Sequence, residues 1–201
     1  MIIQGTAGVQ SLADGTTAPV RLGKAGELMV NFPNGKYFEP TRRGLRFYAA
    51  NQAAVTTTVA LNTTYTGLVV SNPAGASVDL VIDKCSWAFS VAPAAIATVG
   101  LFTGYSAAGI VTHTTPLTSI AGHYVGAPKG QALADGAATL VGTPQWIMQL
   151  QNGFTAGALY SGVAYVDLEG SVVIPPGGYL GIGTLTVAVG FGSIAWQEVP
   201  R

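Results

Sequence analysis

The chain has 201 residues, nine of them Lys or Arg and nine Asp or Glu, so it carries no net charge and is only 9% charged against 49% hydrophobic. Ordinary soluble domains hold about 25% charge on a solvated surface; here residues 85–128 and 136–166 hold none, so the surfaces they form are expected to be covered by another copy or by a neighbour in an assembly. Neutrality excludes a dedicated nucleic-acid binder, the single cysteine, Cys85, excludes a disulfide framework or a multi-thiolate metal site, and the interruption of every apolar run by Pro, Gly, Thr, Ser, His or Asn excludes a membrane-spanning helix.

At the start of the chain, Met1-Ile2-Ile3-Gln4-Gly5-Thr6 shows no basic stretch followed by a long apolar one, so folding and assembly in a cytoplasm are expected. The first 50 residues hold six basic side chains, Arg21, Lys24, Lys36, Arg42, Arg43 and Arg46, against three acidic ones. Turn formers without a sustained period fill residues 11–20, and 27–32 and 36–39 read as short extended pieces. Residues 1–44 therefore read as an extended arm. Too little apolar area is available for such an arm to order itself, so it is expected to lie on its own body or on a partner, with Arg21, Lys24, Arg42, Arg43 and Arg46 meeting acidic neighbours.

Residues 45–201 read as one all-β domain. Stretches 45–49, 55–61, 65–71 and 78–91 are rich in Val, Leu, Thr and aromatic residues and are separated by turn clusters such as Asn72-Pro73-Ala74-Gly75. Alternation places Val78, Leu80 and Ile82 on one face and Asp79, Val81 and Asp83 on the other. In the middle Ala and Gly dilute the period; strands are expected at 96–103, 109–115, 138–142 and 145–150, and a helix over 132–141 is disfavoured by Gly136 and missing caps. The last third gives short strands at 163–168, 171–174, 179–183, 185–189 and 193–198, with Pro175-Pro176-Gly177-Gly178 forcing a turn. Many short strands with Gly and Pro turns imply an all-β fold, a β-sandwich or jelly roll with an extended N-terminal arm.

Several strings carry a resemblance. Gly26-Glu27-Leu28, Gly35-Lys36-Tyr37-Phe38-Glu39, Gly44, Phe47, Asn51-Gln52, Thr56-Thr57-Thr58, Thr66-Gly67-Leu68 and Asn72-Pro73 resemble structural proteins of tailed bacteriophages, over roughly residues 20–85. The stretch Ile174-Pro175-Pro176-Gly177-Gly178-Tyr179 resembles the turn before a late strand in viral jelly rolls. The resemblance implies a virion component, a head decoration or cement protein that sits on the major capsid protein as a homotrimer. It brings no catalytic residues and no cofactor.

The residues announce no chemistry of their own. Nucleophilic catalysis needs a nucleophile, a base and an orienting group, yet His113 and His123 lie in no motif, no G-x-S-x-G occurs and Cys85 reads as a buried, inert thiol. The ten-residue spacing of the two histidines matches no metal-ligand pattern. Asp167 and Glu169 alternate onto one strand face, as an acid pair or as a solvated surface. Gly178-Tyr179-Leu180-Gly181-Ile182-Gly183 opens no helix and so supports no nucleotide site. The one binding alternative is a carbohydrate- or receptor-binding jelly-roll module with Tyr124, Trp146 and Tyr160 as stacking residues. Against it, Trp87, Trp146 and Trp196 read as core or subunit-interface anchors with satisfied N–H groups.

Overall fold

The computed structural model describes residues 36–59, 61–107, 111–117, 121–122, 130–151 and 163–201. By internal contacts the chain divides after Phe38, and the unit Glu39–Arg201 carries the sheets. Arg21, Lys24, His123, Tyr124, Tyr160 and the extended piece expected at 27–32 lie outside the described residues. The extended piece expected at 36–39 is instead the entry to a single helical turn, α1 (Phe38–Arg42). Leu45 N–H bonds to Pro40 O, Gly44 N–H bonds to Thr41 O, and Gly44 adopts φ 69°, so a left-handed glycine ends the turn.

Among the described residues twelve strands follow: β1 (Arg46–Ala50), β2 (Val55–Thr56), β3 (Thr64–Ser71), β4 (Val78–Phe89), β5 (Val99–Tyr105), β6 (Thr112–Pro116), β7 (Ala121–Gly122), β8 (Leu133–Thr139), β9 (Gln145–Gln151), β10 (Ala164–Ile174), β11 (Gly178–Thr184) and β12 (Val189–Pro200). They form two six-stranded sheets. The first runs β10-β4-β12-β1-β7 with β2 also paired to β12, and the second runs β6-β8-β3-β11-β5-β9.

Without β2, β6, β7 and β8, eight strands remain, and their pairing is nested. The first pairs with the last (β1 with β12), the second with the seventh (β3 with β11), the third with the sixth (β4 with β10) and the fourth with the fifth (β5 with β9), all antiparallel. That is one long hairpin of strand pairs rolled into two sheets, the jelly-roll order. Between β5 and β9 the chain makes an excursion that this order does not require. Strand β8 adds to β3 and carries β6 outside it, while β7 adds to β1, so both sheets are extended.

The core lies between the sheets and follows from period-two alternation. Leu68 and Val70 of β3, Leu80, Ile82 and Trp87 of β4, Leu101, Leu180, Ile182, Ile194 and Trp196 are fully buried there. Each such side chain contributes about 1.5–3 kcal/mol relative to exposure. Trp196 Nε1 lies 3.5 Å from Glu198 Oε1, but Trp87 Nε1 is buried without a partner among the described residues, contrary to the expected satisfaction of both.

A second, smaller core covers the outer face of the second sheet. Tyr65, Val69, Phe102 and Tyr179 are buried there, with Trp146 packed against them. Glycines make room for the rings: Tyr179 lies over its cross-strand partner Gly104, Phe102 over its partner Gly181, and Trp146 over Gly100 and Gly183. A side chain at any of these positions would overlap a ring, so the strand glycines mark close approach. Gly178-Tyr179-Leu180-Gly181-Ile182-Gly183 is thus a strand with Leu180 and Ile182 facing one core and Gly181 and Gly183 flooring the other.

Four further expected elements differ. The strand expected at 138–142 starts and ends earlier, as β8 (Leu133–Thr139). Residues 185–189 contribute only Val189 to a strand, because 185–188 carry the chain from β11 in one sheet to β12 in the other. Of 55–61 only Val55–Thr56 forms a strand among the described residues, with Val59 in an isolated parallel bridge to Thr184. The two strands expected at 163–168 and 171–174 are one, β10, interrupted where Glu169 and Gly170 take φ 49° and 83°.

The sheets are also joined by a buried carboxylate. Glu198 of β12 accepts hydrogen bonds from Gln131 N–H at 2.9 Å and Ala132 N–H at 3.0 Å, at the entry to β8. Hydrogen bonds to a charged group contribute about 1.5–3 kcal/mol. Glu198→Ala is accordingly expected to destabilise the fold by about 2–3 kcal/mol, read as an earlier urea midpoint at unchanged slope.

Candidate functional site

The outward face of the first sheet is built by the residues that alternate with the core. On β12 these are Phe191, Ser193, Ala195, Gln197 and Val199, between the buried Ile194 and Trp196. Registered beside them are Tyr48 of β1 opposite Ala195, Ser86 of β4 opposite Ser193, and Tyr165 of β10 opposite Ser86. A shallow trough results, with Ser86, Ser193 and Ala195 among its lining and Tyr48 and Tyr165 at its sides. Tyr48, Tyr165, Val173, Phe191 and Val199 are all exposed on this face.

Charge here is sparse and paired. Lys84 Nζ is 3.6 Å from Asp167 Oδ2 and 5.8 Å from the Tyr165 ring centre. Asp167 also accepts from the Glu169 backbone N–H at 3.2 Å. Glu169 takes a left-handed conformation, and Asp167 and Glu169 are both exposed on either side of the buried Leu168.

Of the basic residues expected to meet a partner, Arg42 closes α1, and Arg42 and Arg43 are exposed. Arg46 lines the same trough but is buried. Its Nε is 2.7 Å from Asp83 Oδ2, with both side chains under a tenth exposed. Asp83, expected to share the outward face with Asp79 and Val81, is the extra residue of a bulge: opposite it β12 passes from Ala195 to Trp196 and β10 from Asp167 to Val172. The bulge brings Asp83 to Arg46, so the arginine carries a buried ion pair at the trough.

Trp146, the described member of the expected stacking trio, is half-buried and meets Phe102 edge-on at 6.1 Å over the glycine floor. Cys85 is buried in the main core, where burial pushes its thiol up to about 12, so it stays protonated.

A cavity of about 230 Å³ lies at the excursion. Its walls bring together the loop Asn72-Pro73-Ala74-Gly75, the turn residues Gly177 and Gly178, and side chains of β6 and β8. Asn72 fixes the loop to the turn. Its Nδ2 donates to Val78 O and Ile174 O at 2.9 and 3.0 Å, its backbone N–H to Gly178 O, and its carbonyl accepts from Gly177 N–H. His113 lines the cavity, and its Nδ1 is 2.6 Å from Oδ2 of Asp135, which is fully buried on β8. Burial raises the Asp135 pKa, and the His113 hydrogen bond and charge pull it partly back. Oδ1 of Asp135 and Oδ1 of Asn72 are buried without a partner among the described residues.

Sequence reasoning took His113 as a structural or loop histidine and did not single out Asp135. The Asp135-Gly136 pair reads locally as a turn, whereas pairing with β3 and β6 makes it strand interior. No group of three or more metal-ligating side chains occurs among the described residues. No protein-family model, no curated protein and no solved structure matches the chain.

Proposed function

We propose that the protein is a structural virion component of a tailed bacteriophage, a decoration or cement protein that binds the major capsid protein and stabilises the head as a homotrimer. The observation that supports this reading is the outward face of the first sheet. It exposes Tyr48, Tyr165, Val173, Phe191 and Val199, with Ser86, Ser193, Ala195, Lys84 and the buried Arg46 lining its trough, so large apolar side chains stand where a solvated sheet face would carry mostly charged and polar residues. Contiguous exposed apolar area of this kind marks an interaction surface. A trimer would cover such faces, leaving the basic N-terminal segment to reach neighbouring subunits. Many equivalent copies acting in parallel need only a few kcal/mol each.

Light scattering on the full chain, with and without Phe191→Glu and Tyr165→Glu together, tests the reading. The expected result is a trimer for the natural sequence and a folded monomer for the double variant. A natural chain that stays monomeric at micromolar concentration and leaves assembled heads unbound in co-sedimentation ends it.

A further inference from the structure

The cavity sits on strands that the roll does not need. Eight strands close the jelly roll, and the excursion that supplies β6 and β8 also supplies His113, Asp135 and Leu133 to the cavity and its support. Function is grafted onto folds at such additions. The opposite wall is prepared in advance, because three hydrogen bonds tie Asn72 to Ile174, Gly177 and Gly178 around the Pro175-Pro176-Gly177-Gly178 turn and a fourth ties it to Val78 O. A largely pre-formed, mostly apolar concavity with a few polar groups is the usual form of a small-molecule site.

We propose that this cavity binds a small uncharged molecule bearing several hydroxyl groups, of the size of one sugar ring, through a hydrogen bond between a ligand hydroxyl and Nε2 of His113. The chemistry follows from what each polar group lacks. Asp135 occupies Nδ1 of His113, so Nε2 is the nitrogen left for a ligand, and Asp135 holds the ring as an orienting partner. When the imidazole is neutral with its proton on Nδ1, Nε2 accepts; when it is protonated, Nε2 donates. A hydroxyl serves both states, whereas a carbonyl serves only the second and an ammonium only the first.

Charge excludes the other classes. Among the described residues no Lys or Arg lines the cavity, and the His113–Asp135 pair with its carboxylate ionised is at most neutral, so an anion finds no compensation there. A cation would have to shed water against Val111, Leu133, Pro73 and Ala74 with its nearest carboxylate already held by His113. A volume of about 230 Å³, below the range of drug-sized pockets, holds one ring and not a chain. The proposal does not rest on the assembly reading and stands or falls separately from it.

The test uses the full chain, labelled with nitrogen-15, and follows the imidazole nitrogens of His113 by long-range proton–nitrogen correlation. Methyl α-glucoside, N-acetylglucosamine and myo-inositol are the neutral probes, and sodium acetate and sodium phosphate the anionic comparators. The expected result is a saturable Nε2 shift with at least one neutral probe, half-maximal at millimolar concentration. His113→Gln should remove this resonance and weaken the accompanying amide shifts around Asn72 by tenfold or more. A second variant leaves the pair intact: a Cβ at Gly75 meets nothing within 4 Å, so Gly75→Trp fits the exposed loop and obstructs the mouth. It should leave the free-protein amide spectrum native-like and abolish the shift. No saturable shift with any neutral probe, a shift with acetate or phosphate alone, or an undiminished shift in Gly75→Trp overturns the proposal.

Discussion

Asp83→Ala is expected to lower the midpoint of thermal unfolding by about 6–20 °C. Arg46 and Asp83 form a 2.7 Å pair with side chains 8% and 6% exposed. Taking both charges out of water is costly, and their mutual attraction roughly repays that cost; removing Asp83 takes a close opposite charge away from a buried guanidinium. The loss is about 3–5 kcal/mol, and in a domain of this size each kcal/mol moves the midpoint by about 2–4 °C. Arg46→Met combined with Asp83→Leu removes both charges and should recover most of the loss, because an apolar pair of similar volume is often as stable as the ion pair. Differential scanning calorimetry of the two single variants and the double decides it. A single variant within about 1 °C of the parent, or a double as unstable as the worse single, would show that the pair is well hydrated and contributes little. An arginine that served a partner instead would change binding and not the midpoint.

The same pair marks where the sequence stops being readable. Alternation over residues 78–82 placed Val78, Leu80 and Ile82 correctly in the core, as every second residue faces one side. At Asp83 an extra residue shifts the phase, and from Cys85 to Phe89 the inward set moves from even to odd numbers. A bulge is set by pairing with β10 and β12, whose residues lie far along the chain, so no local window contains it. The β-branched and aromatic strands at either end of the chain were legible for the opposite reason: their own composition decides them. Strand β8, Leu133–Thr139, has Ala, Gly and Thr at most positions and is a strand only through its neighbours β3 and β6. His113 and Asp135, brought to 2.6 Å by that pairing, are 22 residues apart in sequence, and neither carried a motif. The cavity was half visible. Its Asn72-Pro73 and Pro175-Pro176-Gly177-Gly178 strings stood out as turns, but nothing in either string says that they meet.

The glycines of the second sheet were the least legible feature, and they carry the other large effect. Gly181→Ala is expected to destabilise the protein by on the order of 3 kcal/mol, although alanine is the smallest side chain that can be added and a strand normally accepts it. The ring of Phe102 lies where the new Cβ would stand, and that ring cannot retreat. It is 1% exposed, and it meets Tyr65 at 5.0 Å, Trp146 at 6.1 Å and Tyr179 at 6.3 Å between ring centres. Interiors packed to crystal-like density answer an added methyl by moving backbone or forcing rotamers, each costly. Gly75→Ala, in open space, is the control and should shift stability by less than about 0.5 kcal/mol. If the overlap with the ring is the cause, the cost of Gly181→Ala should fall by about 1 kcal/mol or more when Phe102 is already Leu, since contacting residues couple by about 0.5–3 kcal/mol. Urea unfolding of the four members of that cycle measures the coupling directly. Strict additivity would mean that the glycine is required for its backbone and not for the ring above it, and the aromatic layer over the second sheet would then need a different account.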